Sequence, residues 1–386
     1  MKPKTNLVLD RNSLDSLKRN VKSISLARKQ REQDPSFHLA YPEYIGVKLT
    51  HKCNMRCIHC YQWNNKGHNH FLDKDVQNQE IDVSIIEKLI YETSQNKARF
   101  YLWGGEPLFH SKFADIADLF QKDQRETVIC TNGLLVPKYI DNIIKMGAKT
   151  ELVLSIDGFE DTHDSFRGKG SFKKVIETLD FVLELRKKKL YCGKIYVHMM
   201  INDSMSNSLF DFAEYLENKG ADFLIFCFPW YISQENSLAM DEFFEKNFPG
   251  YVTSKLSSWH GFKYSMNISS VPNLINQIKK INEKTWNMRI RFQPDLDYSE
   301  ITQFIEDKYT QNCSQKCLGL SSRIDVSPNG DVSACKQFAE FYVGNLYESS
   351  LSDIWNGEKY NIIRKTIGNN LMPVCTKCSN LFVHNM

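Results

Sequence analysis

Residues 45–61 read Ile-Gly-Val-Lys-Leu-Thr-His-Lys-Cys-Asn-Met-Arg-Cys-Ile-His-Cys-Tyr, and the rest of the chain can be placed around them. Ile45, Val47 and Leu49 alternate with Gly46 and Lys48, the period-two pattern of a strand. The strand runs into Cys53, Cys57 and Cys60, spaced C-x3-C-x2-C on a short loop. Three thiolates this close can hold three corners of a cuboidal iron–sulfur cluster, where a ferredoxin-type site supplies four. The missing fourth ligand leaves one iron open, and an open position is where a metal does chemistry. Structural zinc is the competing reading, but zinc takes four closed ligands and usually pairs its cysteines as C-x2-C. His59, between two cysteines, is expected to point away from the metal. A disulfide needs an oxidising compartment, for which nothing in the sequence speaks.

The chain has 386 residues, 42% hydrophobic and 25% charged, which suits one large domain plus a smaller one. A net charge of +3 over this length does not imply a nucleic acid or an anionic membrane as partner. The first residues contain no apolar signal core, and no window approaches the roughly 18 apolar residues of a membrane span. A soluble, cytoplasmic protein is expected. In a reducing compartment its 11 cysteines read as metal ligands or redox groups.

Residues 12–33 carry Leu14, Leu17, Val21, Ile24 and Leu26 at near-helical spacing, an amphipathic helix leading into the core that Asp34-Pro35 ends. The lead-in, residues 1–40, is too short for a domain of its own. Residues 62–80 are polar and irregular, and His68 and His70 read as solvated. Asp82 can cap a helix whose Ile85, Ile86, Leu89 and Ile90 form one apolar face. Strand patterns then follow at 99–103, 127–130, 151–156, 195–201, 223–228 and 289–292, with helical patterns at 113–120, 138–146, 172–188 and 208–218. This alternation gives the fold class: α/β, a partial (β/α)6 TIM-like barrel over 41–295, with parallel strands and right-handed crossovers. Functional residues of such barrels sit at the carboxyl ends of the strands.

The cysteine spacing, with Tyr61 directly after it, resembles that of the radical S-adenosylmethionine (SAM) enzymes. The resemblance implies that the open iron chelates the methionine part of SAM, and that reductive cleavage gives a 5′-deoxyadenosyl radical. That radical removes a hydrogen atom from an unactivated carbon, while the protein positions the carbon and excludes water. Gly104-Gly105-Glu106-Pro107, after the second strand, is similar to the family segment that contacts the SAM amino group. Gly104 and Gly105 would let backbone approach the ligand closely. Ser155 and Asp157 fall where a family member places contacts to the ribose, and Arg167 matches a basic position beside the SAM carboxylate. With Tyr61 these form the expected SAM-binding set.

Beyond residue 296 the pattern changes to a small α+β domain. Ile324 to Cys335, centred on Pro328-Asn329-Gly330, reads as a β-hairpin. Cys317 precedes it and Cys375-x2-Cys378 lies further on, a set that would also suit zinc. Gly330-x4-Cys335, the segment from Gly344 to Trp355 and the last C-x2-C resemble the auxiliary-cluster domains called SPASM and twitch. The dense middle cysteine group of a full SPASM domain is missing. The resemblance therefore implies one auxiliary [4Fe–4S] cluster held by Cys317, Cys335, Cys375 and Cys378, with Cys313 as a rival to Cys317.

These readings point to a radical SAM oxidoreductase of dehydrogenase, epimerase or cross-linking type, reduced by a flavodoxin- or ferredoxin-type donor. The expected substrate is a small natural product, sugar- or aminocyclitol-like. The alternative is maturation of a ribosomally made peptide, against which the short lead-in counts. Cys227 is the candidate hydrogen-atom donor, its competing reading a small buried apolar residue. Cys130 and Cys192 have no assigned role. A non-enzymatic iron–sulfur carrier or a zinc-binding protein would use closed four-cysteine sites only.

Overall fold

In the computed structural model, which describes residues 2–251, 256–308, 316–378 and 381, the alternation of residues 45–49 recurs along the sheet and sorts side chains onto two unlike faces. The strands are β1 (Lys4–Thr5), β2 (Tyr44–Lys48), β3 (Arg99–Trp103), β4 (Thr127–Thr131), β5 (Thr150–Ser155), β6 (Ile195–Met200), β7 (Phe223–Cys227), β8 (Thr285–Trp286), β9 (Arg289–Gln293), β10 (Arg323–Val326), β11 (Asp331–Ser333) and β12 (Tyr342–Asn345). β1 and β8 pair in a small parallel ribbon, and the other ten form one sheet, ordered β12-β11-β10-β2-β3-β4-β5-β6-β7-β9. Neighbours from β10 through β9 are parallel, while β11 and β12 continue antiparallel. This is a partial (β/α) barrel, and its strand ends fall within one residue of those read from periodicity.

One face is apolar. Ile45, Val47, Phe100, Leu102, Ile129, Leu152, Leu154, Val197, Leu224, Phe226 and Phe292 are buried in a single core with the inward faces of the connecting helices. Val83–Glu92 buries Ile85, Ile86 and Leu89, and its N-terminus is capped by the Asp82 side chain, as expected. The other face is polar. It carries an Arg99–Glu151 ion pair joined by the Tyr196 hydroxyl, and Arg323 gripping Asp325 at 2.6 and 2.8 Å. Asp325 stands in register with Gly46, where any β-carbon would lie 1.9 Å from its Oδ1, so the strand must have glycine there.

The hairpin β10–β11 forms as expected, but β10 lies directly beside β2. The segment bearing the second cysteine set therefore extends the barrel's own sheet.

Two expectations need correction. The helix Arg11–Gln33 forms, capped by Asp10, yet Leu14, Leu17, Val21 and Leu26 are exposed while Ala27 and Arg31 are buried. Its polar side chains decide the orientation: Ser16 and Arg19 reach Glu126, Ser23 reaches Glu43, and Arg31 reaches Ser321. These anchors precede β4, β2 and β10, so the helix crosses the amino ends of the strands. Secondly, the stretch after the cysteine loop is packed. Gln62, Trp63, Asn64, Gly67 and Asn69 are buried, and of the two histidines His68 is half-buried and His70 exposed. No helix among the described residues is long and apolar enough to cross a membrane.

Candidate active site

The cysteine loop leaves the carboxyl end of β2 and is tied to the ends of the next strands. Gly105 N donates to Thr50 O at 2.9 Å and Glu106 N to Lys52 O at 2.8 Å. Asn132 Nδ2, just past β4, donates to Asn54 Oδ1 at 2.8 Å. Ile58 N donates to Phe166 O at 3.0 Å. Trp63 Nε1 donates to His51 O at 2.7 Å, and Arg56 lies over the Trp63 ring at 4.4 Å.

Gly104 and Gly105 are needed for this packing. A β-carbon on Gly104, at φ 151°, would lie 2.4 Å from Thr50 O, and one on Gly105 would lie 2.2 Å from Lys52 O. What the two glycines admit so closely is the chain's own backbone. Glu106 is 1% exposed and fully occupied: its carboxylate accepts from Leu108 N, Thr131 Oγ1 and Asn132 N at 3.0, 2.7 and 2.8 Å. Burial raises its pKa to about 7. Pro107 starts the buried turn Pro107–Phe109.

Asp157, two residues beyond β5, meets Arg167 rather than open space. Arg167 Nε donates to Asp157 Oδ2 at 2.6 Å, and Met200 N donates to Oδ1 at 2.9 Å. His59 turns towards Asp157, its Nε2 3.5 Å from Oδ2. Burial alone would raise the Asp157 carboxyl, but Arg167 and His59 hold it well below the usual carboxylate range. Arg167 comes from the last turn of the helix Glu160–Arg167, and its Nη1 lies 3.9 Å from Cys57 Sγ. Ser155 is half-buried at the end of β5, in register with His198. Tyr61 stacks on Phe262 with centroids 4.3 Å apart.

The residues fit a cluster. Cys53, Cys57 and Cys60 are free, and burial pushes Cys53 up to about 12, Cys57 up to about 11 and Cys60 upward as well. Buried thiols of this kind become thiolates when a metal takes the proton's place. Cys317, Cys335, Cys375 and Cys378 line one largely apolar cavity together with Trp230, Phe338 and Lys336. Among the described residues no three or more His, Cys, Asp or Glu side chains gather around the position of a single ion. A cuboidal cluster places each thiolate on a different iron. Cys313 lies outside the described residues.

Sequence reasoning missed several neighbours of these groups. His198 Nε2 lies 2.6 Å from the buried Cys227 Sγ. Its only sequence signal is a polar residue on the polar face of Ile195–Met200. Cys130 occupies the same face on β4, and Cys192 is exposed. Beside Tyr61 and Cys335 lies a cavity of about 140 Å³ lined by Lys48, His51, Tyr61, His68, Asn69, Gln79, Trp103, Cys335 and Lys336, among others. Within these lining residues His51 Nδ1, His68 Nδ1, both amide atoms of Asn69, Gln79 Oε1 and Trp103 Nε1 are buried without a hydrogen-bond partner among the described residues. Burial lowers Lys48 to about 8 and lowers Lys336 too.

Comparison with known proteins agrees with this layout. Residues 47–214 match the radical SAM superfamily profile, and residues 317–379 match the SPASM iron–sulfur cluster-binding domain. A Pyrococcus furiosus protein named as the cofactor-modifying protein of a tungsten-containing aldehyde ferredoxin oxidoreductase is 22% identical over 362 residues, 87% of either chain. The subtilosin biosynthesis protein AlbA of Bacillus subtilis is 24% identical over 328 residues, 82% of this chain and 60% of AlbA. Streptococcus suis SuiB bound to precursor peptide SuiA superposes on 94% of this chain and 74% of its own, with a TM-score of 0.59 at 14% identity. Native anSMEcpe with bound AdoMet and a Cp18Cys peptide covers 87% of this chain and 85% of its own, with a TM-score of 0.55 at 16% identity. At these identities the structural likeness is one of fold.

Proposed function

Because the chain belongs to the radical SAM superfamily and carries a SPASM iron–sulfur domain, we propose that it is a peptide-modifying enzyme. SAM and its cluster would be held at Cys53, Cys57 and Cys60, and one auxiliary [4Fe–4S] cluster at Cys317, Cys335, Cys375 and Cys378. The bound cofactors supply hydrogen-atom removal from an unactivated carbon. The chain's own residues supply the rest. Gly104 to Pro107 brace the cysteine loop and leave backbone edges beside it for the SAM amino group. Arg167, fixed by Asp157, sets a cation against Cys57. Ser155 and Tyr61 complete the SAM-binding set, and Cys227 offers a thiol hydrogen that His198 orients.

The observation that carries the substrate reading is the cavity beside Tyr61 and Cys335. Its lining side chains include both donors and acceptors, and an amide complements both at once. Buried polar groups of this kind cost stability unless something pairs with them. Among similar proteins, AlbA is named for bacteriocin biosynthesis, and SuiB and anSMEcpe are solved with peptides bound. The peptide reading is thus better supported than the sugar- or aminocyclitol-like substrate expected from the sequence.

The test mixes anaerobically loaded enzyme, SAM and dithionite with either a peptide library or a panel of aminocyclitols. Peptides should raise 5′-deoxyadenosine output and change in mass. Stimulation by aminocyclitols alone would overturn the reading.

A further inference from the structure

Two arginines lie behind the second cysteine set with no acid in ion-pair contact; Asp34, exposed and bonded to Ser36, acts on Arg31 only at a distance. Arg31, from Arg11–Gln33, and Arg364, from Glu358–Asn369, are both 0% exposed. Each oxygen they bond is neutral. Arg31 donates to Ser321 Oγ at 3.1 Å and to the Arg364 carbonyl at 3.2 Å. Arg364 donates to the carbonyls of Leu320 and Trp355 and to Asn361 Oδ1, and lies over the Tyr360 ring at 3.8 Å. Arg31 Nε and Arg364 Nη2 are buried with no hydrogen-bond partner among the described residues. No Asp or Glu occurs in the remaining residues, so no acidic side chain there can serve either.

A buried charge without a counter-charge is among the costliest features of a fold, and two neighbouring cations add mutual repulsion. The missing anion has a place. Leu320, whose carbonyl takes Arg364, lines the cavity of the four cysteines, and Ser321, which takes Arg31, is the next residue. Among groups able to carry negative charge, Cys317 acts most strongly on Arg31. Burial leaves Arg364 lowered to about 10 in the protein alone. Four neutral thiols give these cations nothing. Four thiolates on a [4Fe–4S] core make a net anion.

We infer that Arg31 and Arg364 are the counter-charge of an anionic iron–sulfur cluster held by Cys317, Cys335, Cys375 and Cys378, and that they raise its reduction potential. The inference rests on those four cysteines being the ligands. Reduction adds one electron from the donor, breaks no bond and makes the cluster more negative. A fixed cation therefore stabilises the reduced form over the oxidised one. Both arginines act as positioning residues for charge, touching neither substrate nor SAM.

The test uses the full chain with Cys53→Ala, Cys57→Ala and Cys60→Ala, so that only the second cluster reports. Its potential is read by EPR during mediated dithionite titration. Arg31→Met should weaken one-electron reduction about tenfold, a fall of about 59 mV, at unchanged iron content, and Arg31→Lys should restore most of it. Arg364→Met should shift the potential in the same direction. Unchanged potentials with full iron would overturn the inference. If Arg31→Met loses the cluster, retention by Arg31→Lys supports the charge role, and equal loss in both refutes it. Absence of iron from the second site in the parent chain would refute the ligand assignment itself, and the inference with it.

Discussion

The sulfur of Cys227 lies 2.6 Å from Nε2 of His198, across adjacent strands and on the same face of the sheet. Burial lowers His198 to about 4 and pushes the Cys227 thiol up, so both partners are neutral at ordinary pH and one hydrogen bond joins sulfur and ring nitrogen. A raised thiol pKa keeps the hydrogen on sulfur as pH rises, and the thiolate needed for alkylation does not form. Iodoacetamide should therefore label exposed Cys192 and leave Cys227 untouched at both pH 7 and pH 9. Peptide mass mapping reads the result. Comparable labelling of the two residues would disprove the neutral pair.

Arg167 is the main cation facing buried Asp157. Arg167→Met strands the carboxylate and should destabilise the fold by about 3–5 kcal/mol, with Arg167→Met/Asp157→Asn milder than the single change. Asp157 is held below its unfolded value, so its contribution is present above that value and is lost as pH falls below about 4. Urea midpoints at pH 7 and near pH 3 should show the gap between wild type and Arg167→Met closing in acid.

Gly105→Val drives a side chain into Lys52 O, one residue before Cys53. The expected result is iron loss from the first cluster, about four of roughly eight irons per chain. If Gly105 serves only close approach to SAM, the change would instead lower SAM affinity with clusters intact. Iron analysis after anaerobic reconstitution separates the two, and a full iron load in Gly105→Val would overturn the bracing role.

Glu106→Gln removes one of the two oxygens that accept from Leu108 N, Thr131 Oγ1 and Asn132 N, and should cost about 1–3 kcal/mol. The pH dependence has a definite sign. With its folded pKa raised to about 7, the Glu106 contribution is greatest below the unfolded value and declines as pH rises to about 7. The stability gap between wild type and Glu106→Gln should therefore narrow from pH 4.5 to pH 7 in thermal melts. A widening gap would mean that the carboxylate is the favoured form.

Periodicity carried the strands because the sheet has one apolar and one polar face, so every parallel strand repeats the pattern of residues 45–49. The cysteine spacings carried the cofactor class for the same local reason. Relationships across the sheet were not legible. Nothing near Arg167 announces that it pairs with Asp157, and nothing near Arg323–Val326 announces a place beside Tyr44–Lys48. Polarity misled twice. Asn69 looks solvated but is buried facing a cavity, and Leu14, Leu17 and Val21 look like a core face but are exposed. In that helix Ser16, Arg19 and Ser23 find acidic partners at the strand ends, and those contacts fix which side turns in.

The pairing of β10 with β2 has a kinetic meaning. The strand leading to Cys53 and the hairpin leading to Cys335 are laced together by backbone hydrogen bonds, at about 4.8 Å per strand. Any electron passing between Cys53 and Cys335 would cross a gap anchored on both sides by strands of one sheet. Tunnelling falls steeply with distance, so that pairing bears directly on the transfer rate. Cutting the chain ahead of residue 317 would do more than remove a carrier, because it would strip β2 of its neighbour and leave an adhesive edge.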